Sequence, residues 1–286
     1  MSLPEPRNIG FGCMSLDPRS SDNIKLLRSA VDKGITLFDT ADLYDKGLNE
    51  EIVGKALSPV RSNVKIATKV GNEWNESGTD WRWNPTKEYI LKAVDNSLER
   101  LQTDYIDIYQ LHGGTLDDPI DETIEAFEIL KKQGKILEYG ISSIRPNVIR
   151  EWIKRSYMSS VMMQYSLLDR RPEEVCLDLL NEADISVITR GTLAKGLLID
   201  KLAKDYLGYS EHEVKLIQKA ISKTDNPLSA SIQYVNQHPA VESAIIGIRT
   251  MEQLHEVIES QSLTIPSETL TELSEVLKPN IYEKHR

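Results

Sequence analysis

The chain has 286 residues, of which 40% are hydrophobic and 27% charged, and a formal net charge of −10. That size and balance fit a packed globular protein, and the acidic excess argues against a nucleic-acid binder, which needs a basic face for phosphates. Two cysteines far apart, Cys13 and Cys176, exclude a disulfide framework or a cysteine-rich zinc cluster and fit small buried residues. The opening MSLPEPRN lacks the basic-then-apolar pattern of a secretion signal, and no apolar run reaches membrane-spanning length. The expectation is a cytoplasmic protein with no membrane and no nucleic-acid partner.

In chain order, short apolar runs alternate with longer amphipathic ones. NIGFG reads as a strand and 24–33 as a helix. ITLFD and the helix 50–57 follow, then VKIATK. Residues 71–85, GNEWNESGTDWRWNP, have no periodicity and read as a long loop carrying three of the four tryptophans. The helix 87–101, the strand YIDIYQLH, the helix 123–133, the strand ILEYGISS and the helix 147–155 come next. SVMMQY, the helix 173–181 and ISVITR precede two helices, 211–221 and 228–237. ESAIIG and the helix 251–259 complete the pattern, and 266–286 adds a further helix-containing stretch. Parallel neighbours need crossover connections, so strands alternating with helices predict a parallel sheet. Eight such units at this length favour a closed (β/α)8 TIM barrel, with no Gly-, Ser- or Pro-rich linker and therefore a single domain over 1–286.

GFGCMS at 10–15 nearly matches a dinucleotide fingerprint, but the third glycine is missing and no helix opens there. Gly12 and Met14 are at most a strand end lying close to a cofactor. The other strand ends carry more. In a (β/α)8 barrel these ends meet at one mouth and supply catalytic residues. They are Asp39, with Tyr44 in the loop beyond it, Lys69, His112, Ser142–Ser143, Gln164, Arg190 and Gly247. Singly, Asp39 is an ordinary cap, Lys69 a rim lysine and His112 a core histidine. Together, ionisable groups at adjacent apolar strand ends would each be costly without a partner. A phenol, with a pKa near ~10, is a poor acid at neutral pH, and a nearby ammonium makes it a better one. A carboxylate keeps that ammonium charged. Asp39, Lys69 and Tyr44 therefore read as orienter, charge and acid, with His112 able to hold a carbonyl oxygen. The set suits protonating an oxygen as negative charge develops on it.

With FDTADLYDKGLNEEIVGKAL, IATKVG, SLERLQTDYIDIYQLHG, YGISS, YSLLDRRPEE and HPAVESAIIGIRTMEQL, the sequence resembles the aldo-keto reductases over nearly its whole length. The resemblance implies a (β/α)8 barrel that binds NADPH, in preference to NADH, without a Rossmann unit, and hydride transfer to an aldehyde or ketone. It carries over Asp39, Tyr44, Lys69 and His112 as the catalytic residues, with Tyr44 as general acid and Asp39 also near the cofactor. It implies cofactor contacts at Ser142, Ser143, Gln164, Arg190, Thr192, Leu193, Lys195, Gly196, Gly247, Ile248, Arg249, Gln253 and Glu256. Arg249 is the candidate partner of a 2′-phosphate. Four positions depart from the pattern. Ser143 stands where many members have Asn, and Met162 where a glutamine often holds the nicotinamide amide. Arg190 stands where an aromatic ring usually stacks, and Val257 where Asn is usual. Only about eight residues precede the first strand, so a hairpin plugging the barrel bottom is expected to be short or absent.

Trp74, Trp81 and Trp83 suggest an aromatic substrate pocket. Two other readings compete with a reductase. One is an NADPH-binding regulatory protein with slow turnover; the other is a metal-dependent barrel hydrolase using Asp39 and His112, which lacks further ligands at strand ends. No metal is expected. The substrate within the carbonyl class and the oligomeric state are not legible.

Overall fold

A computed structural model describes residues 9–75 and 77–286. Readings that fall on residues 1–8, namely Asn8 of the first strand, the secretion signal and the bottom hairpin, lie outside the described residues. The first half runs β1 (Ile9–Gly12), α1 (Asn23–Asp32), β2 (Leu37–Asp39), α2 (Leu48–Leu57) and β3 (Lys65–Val70). A hairpin, β4 (Asn72–Trp74) and β5 (Trp81–Trp83), precedes α3 (Lys87–Leu101) and β6 (Ile106–Leu111). Then come α4 (Ile120–Lys132), β7 (Ile136–Ser142), α5 (Pro146–Arg155), β8 (Ser160–Gln164), α6 (Cys176–Glu182) and β9 (Ser186–Arg190). The chain ends with α7 (Glu211–Ile221), α8 (Pro227–Asn236), β10 (Val241–Gly247), α9 (Met251–Ser260) and α10 (Ser267–Glu275).

Eight strands close a barrel in the order β1-β10-β9-β8-β7-β6-β3-β2, which is the expected (β/α)8 arrangement. The parallel register sets Gly12 beside Asp39, Asp39 beside Ala67, and Lys69 beside Gln110. Side chains alternate along a strand. Thr68 therefore faces the helices, where it donates to Glu50 on α2 at 2.6 Å, while Lys69 faces the opposite way.

Two compact groups of residues make up the described chain. One holds Gly10–Met162 with Gly247–Met251; the other holds Ile9, Met163–Ile246 and Glu252–Arg286. In the first, Phe127 stacks on Tyr139 at 5.4 Å and meets Trp152 edge-on, and all three rings are buried. In the second, Glu173 accepts from Tyr165 at 2.9 Å, from Arg170 and from Tyr234. Arg170 also donates to the Ser274 carbonyl at 2.5 Å, tying the C-terminal helix to this hub.

Three boundaries differ from the sequence reading for identifiable reasons. Helix α4 begins three residues early, because Pro119 precedes it and Asp121 and Glu122 suit its positive N-terminal end. The helix expected over 173–181 divides at Val175, whose φ of −161° is not helical, leaving a short 3-10 turn at Arg171–Glu174 before α6. The long loop is not irregular: β4 and β5 pair antiparallel, with Trp74 opposite Trp81 and Glu73 opposite Arg82. Aromatic cross-strand pairs stabilise such hairpins, and the Asn75 side chain accepts from Thr79 N to close the turn.

Helices α2 and α3 meet at Gly54. A Cβ there would lie 2.3 Å from the Arg100 carbonyl oxygen and 2.7 Å from the Leu101 carbonyl carbon. Alanine ordinarily favours a helix interior over glycine by about 1 kcal/mol. At this point the sign reverses, because the added methyl must push backbone apart. Gly54→Ala is expected to lose about 1–3 kcal/mol of stability in urea denaturation.

Candidate active site

At the ends of β2 and β3, Lys69 and Asp39 form an ion pair, Nζ to Oδ1 at 2.6 Å, with the two side chains 1% and 7% exposed. The Lys69 ammonium also donates to the Thr40 carbonyl oxygen at 2.6 Å and lies 3.5 Å from the Tyr44 hydroxyl. Its three protons thus have three oxygen partners, which is what a buried ammonium requires. Burial by itself opposes the charge. The Asp39 carboxylate, and after it the Tyr44 phenol, outweigh that penalty and raise the Lys69 pKa above its ordinary value. The ammonium stays charged across the neutral range.

Local backbone geometry delivers each partner. Thr40 N donates to the Ala67 carbonyl at 2.9 Å, extending the β2–β3 pairing by a residue, and Asp42 N donates to the Lys69 carbonyl at 3.3 Å. Thr40 Oγ1 donates to Asn49 at 2.7 Å, and Asn49 donates to the Cys13 carbonyl at 2.8 Å, both buried. Tyr44 is half-buried and opens a 3-10 turn in which Asp45, Lys46 and Gly47 all have positive φ. His112 N donates to the Val70 carbonyl at 2.7 Å, one step beyond β6. That sets the imidazole edge-on to Tyr44, with ring centroids 5.8 Å apart. Asp39, Tyr44, Lys69 and His112 are therefore brought together. Gly12, the β1 residue in register with Asp39, is buried, whereas Met14 on the next short turn is 65% exposed.

The remaining strand ends fall in smaller sets. Ser142 ends β7 half-buried; Ser143 is buried, with its amide donating to the Met162 carbonyl at 3.0 Å and its hydroxyl accepting from Arg145 N. The Met162 side chain is buried at 1% exposure. Gln164 and Arg190, at the ends of β8 and β9, are joined: Arg190 donates to Gln164 Oε1 at 3.0 Å, and Gln164 Nε2 donates to the Tyr206 hydroxyl at 3.0 Å. After β9, Thr192 is buried, Leu193 half-buried and Lys195 exposed, in a turn where Gly191, Lys195 and Gly196 have left-handed φ. Gly247 ends β10 against Ser15, whose Oγ would lie 3.1 Å from an added Cβ. Arg249 is exposed just before α9; on that helix Gln253 and Glu256 are exposed and Val257 is buried at 3%.

The tryptophans divide. Trp74 and Trp81 line a groove of about 390 Å³ at the hairpin together with Glu73, Asn75, Asp80 and Arg82. Lys46, two residues past Tyr44, sits 5.8 Å from the Trp74 ring. Trp83 instead packs inward: its indole donates to Asp118 at 2.9 Å and its ring occupies the space beside Gly71 and Gly113. A Cβ on Gly113, next to His112, would meet that ring at 3.4 Å.

Sequence reasoning missed Thr40, whose contribution is a backbone carbonyl and so leaves no side-chain signal. It also missed Tyr206, which lies 42 residues from the Gln164 it holds. The buried Glu50 and its partner Arg100, at 2.6 Å, were passed over as ordinary helix residues. A charged residue on the inner face of an amphipathic helix was the available signal. Among the described residues no group of three or more His, Cys, Asp or Glu side chains is arranged to hold a metal ion. No helix among them is long and apolar enough to cross a membrane.

Comparison with known proteins bears on the fold and the family. The uncharacterized oxidoreductase YqkF of Bacillus subtilis is 48% identical over 97% of this chain and 95% of its own length. The holo form of the aldo-keto reductase AKR11C1 from Bacillus halodurans superposes with a TM-score of 0.94 at 47% identity, covering 98% of this chain and 95% of that one. An aldo/keto reductase from Klebsiella pneumoniae, solved in complex with NADP and acetate, has a TM-score of 0.79 at 27% identity, with coverage of 97% and 94%. The family model described as "Aldo/keto reductase family" matches residues 8–278. The chain belongs to the aldo/keto reductase family of oxidoreductases.

Proposed function

We propose that this chain reduces a small aldehyde or ketone to the alcohol, with NADPH as hydride donor and Tyr44 as general acid. The observation that carries this reading is the charged Lys69 ammonium, held by Asp39 and Thr40 and directed at the Tyr44 hydroxyl at 3.5 Å. An adjacent positive charge stabilises the phenolate, so the Tyr44 proton is more readily given up as charge grows on the substrate oxygen. His112, edge-on to Tyr44, is placed to orient that oxygen by a hydrogen bond. Asp39 acts through Lys69, keeping it charged and fixed.

The donor set fits an anionic dinucleotide despite the net charge of −10. The left-handed turn after β9 carries an exposed Lys195 three residues past the buried Thr192, and Arg249 stands at the positive end of α9. Ser142, Ser143, Gln164, Arg190, Thr192, Leu193, Lys195, Gly247, Arg249, Gln253 and Glu256 would hold NADPH, whose part in the chemistry is to supply the hydride. Met162 has its side chain in the core, and Gln164 occupies the strand end, which supports Gln164 as the nicotinamide contact. The Klebsiella relative with bound NADP supports the same cofactor. The hairpin groove of Trp74 and Trp81 would contact the substrate.

Three outcomes test the reading. Tyr44→Phe is expected to lower kcat for aldehyde reduction about 10²–10⁴-fold, with NADPH affinity, followed by fluorescence titration, nearly unchanged. A Tyr44→Phe protein with wild-type turnover would remove the general acid. Arg249→Ala is expected to weaken NADPH binding by about 10-fold or more, the loss of one charge-assisted contact, while leaving NADH binding as it was. Equal losses for both cofactors would move Arg249 away from the 2′-phosphate. In Asp39→Asn the first force raising the Lys69 pKa is gone and burial dominates, so the ammonium loses its proton at lower pH. The kcat–pH profile of that variant should therefore fall away at lower pH than the wild type's, and superposable profiles would sever the link between Asp39 and Lys69.

A further inference from the structure

Behind the Lys69–Tyr44 contact, on the helix side of the sheet, lies a second buried charged cluster that the proposed chemistry does not use. Glu50 on α2 is fully buried and accepts from Thr68 at 2.6 Å, from Ser97 at 3.3 Å and from Arg100 at 2.6–2.7 Å. Arg100 also donates to Ser97 at 3.3 Å, closing the set on itself. A second carboxyl, Asp42, is 7% exposed and sits on the segment joining Asp39 to Tyr44. The Leu43 amide hydrogen-bonds its carboxyl, but its Oδ1 is buried with no hydrogen-bond partner. An ionised carboxylate oxygen left that way is costly, and the Arg100 guanidinium nearby is bonded to Glu50 and Ser97 rather than to Asp42. Burial, and next the charge on Glu50, push the Asp42 pKa well above its ordinary value. The titratable and charged groups facing it are Glu50 from α2, Arg100 and Tyr89 from α3, Tyr109 from β6 and Lys69 from β3.

The cluster also reaches the Tyr44 turn from below. Gly47, at φ +89°, lies so close to Arg100 that a Cβ would stand 2.7 Å from Arg100 Cδ. Asp42 N, at the start of the same segment, is tied to the Lys69 carbonyl. The Arg100 side chain is thus a post under the turn, and Asp42 and Glu50 are packed beside it.

We propose that Asp42 is a positioning residue that works as an uncharged carboxylic acid, packed with the Glu50–Arg100 pair beneath the Tyr44 turn to hold the Tyr44 hydroxyl at the Lys69 ammonium. The proposal rests on the reductase reading for its effect on turnover, but not for its protonation state. Placing a negative charge at Asp42 would set it against the buried Glu50 carboxylate, with Arg100 already paired to Glu50 and Lys69 to Asp39, and loosen the turn. The sign of the linkage follows. The unfolded chain loses the Asp42 proton near pH ~4, while the folded chain keeps it to higher pH. The group therefore lowers stability progressively as pH rises above that value, and the penalty is full above the raised folded pKa.

The test is carbon-13 NMR of protein labelled at the aspartate side-chain carboxyls, with Asp42→Asn and Asp42→Ala variants. Wild-type protein should show one aspartate resonance at the protonated position at pH 7, missing from Asp42→Asn. Asn keeps the shape and cannot ionise. Asp42→Asn should therefore retain kcat for NADPH-dependent reduction of para-nitrobenzaldehyde within about twofold, and should melt about 3 °C or more above wild type at pH 8, the gap closing toward pH 4. Asp42→Ala should lose about tenfold in kcat, the scale of a displaced catalytic group, with NADPH affinity unchanged. Finding every aspartate ionised in wild-type protein at pH 7 overturns the proposal, whether or not Asp42→Ala folds. So does an Asp42→Asn protein as slow as Asp42→Ala, or an Asp42→Ala protein with wild-type kcat. The resonance needs no turnover. A wild-type protein that fails to reduce any carbonyl counts against the reaction and leaves the protonation of Asp42 to be judged by itself.

Discussion

A lysine ammonium with 1% of its side chain exposed has to find oxygen partners inside the protein, and Lys69 draws the surrounding architecture into place. Asp39 must end the neighbouring strand, in a register that brings its carboxylate to 2.6 Å. Thr40 must turn its carbonyl inward, which is why its amide continues the strand pairing and its hydroxyl is anchored to Asn49. The third partner is the Tyr44 hydroxyl. A buried pair of this kind is poor evidence of stability, because desolvation cancels much of the attraction. Its value here is geometric: it delivers a fixed positive charge to a phenol.

The outer face of β3 repeats the theme with opposite weighting. Thr68 points to Glu50 and Arg100 between α2 and α3, one residue before Lys69 points to Asp39. Two charged clusters on opposite faces of one strand constrain the same short segment, Asp39 to Gly47. Within it, Asp45, Lys46 and Gly47 adopt left-handed conformations that only the surrounding structure can impose on non-glycine residues. Strain of this kind beside Tyr44 is consistent with a segment held for placement rather than for stability.

The ends of β8 and β9 are held differently. Arg190 is supported through Gln164 by Tyr206. The turn bearing Tyr206 pairs Tyr206 with Tyr209, and Tyr209 donates to the Lys278 carbonyl near the C-terminus. Val257 on α9 faces the core.

Periodicity alone carried the eight strands and most helices to within a few residues, since alternating short apolar runs and amphipathic helices leave few other folds open. It failed at 71–85, where a three-residue strand is too short to show a period, and at Val175, where a single dihedral interrupts a helical pattern. The residue types at the strand ends, Asp39, Lys69 and His112, could be read from the chain because barrel topology sends every such end to one mouth. What the sequence determined, then, was which side chains meet and the chemistry that their types allow. Distances, charge states and supports came only from tertiary structure. The Thr40 carbonyl, the Tyr206 brace, the inward turn of Trp83 and the uncompensated Asp42 each depend on which atoms face which. One-dimensional spacing holds no record of that.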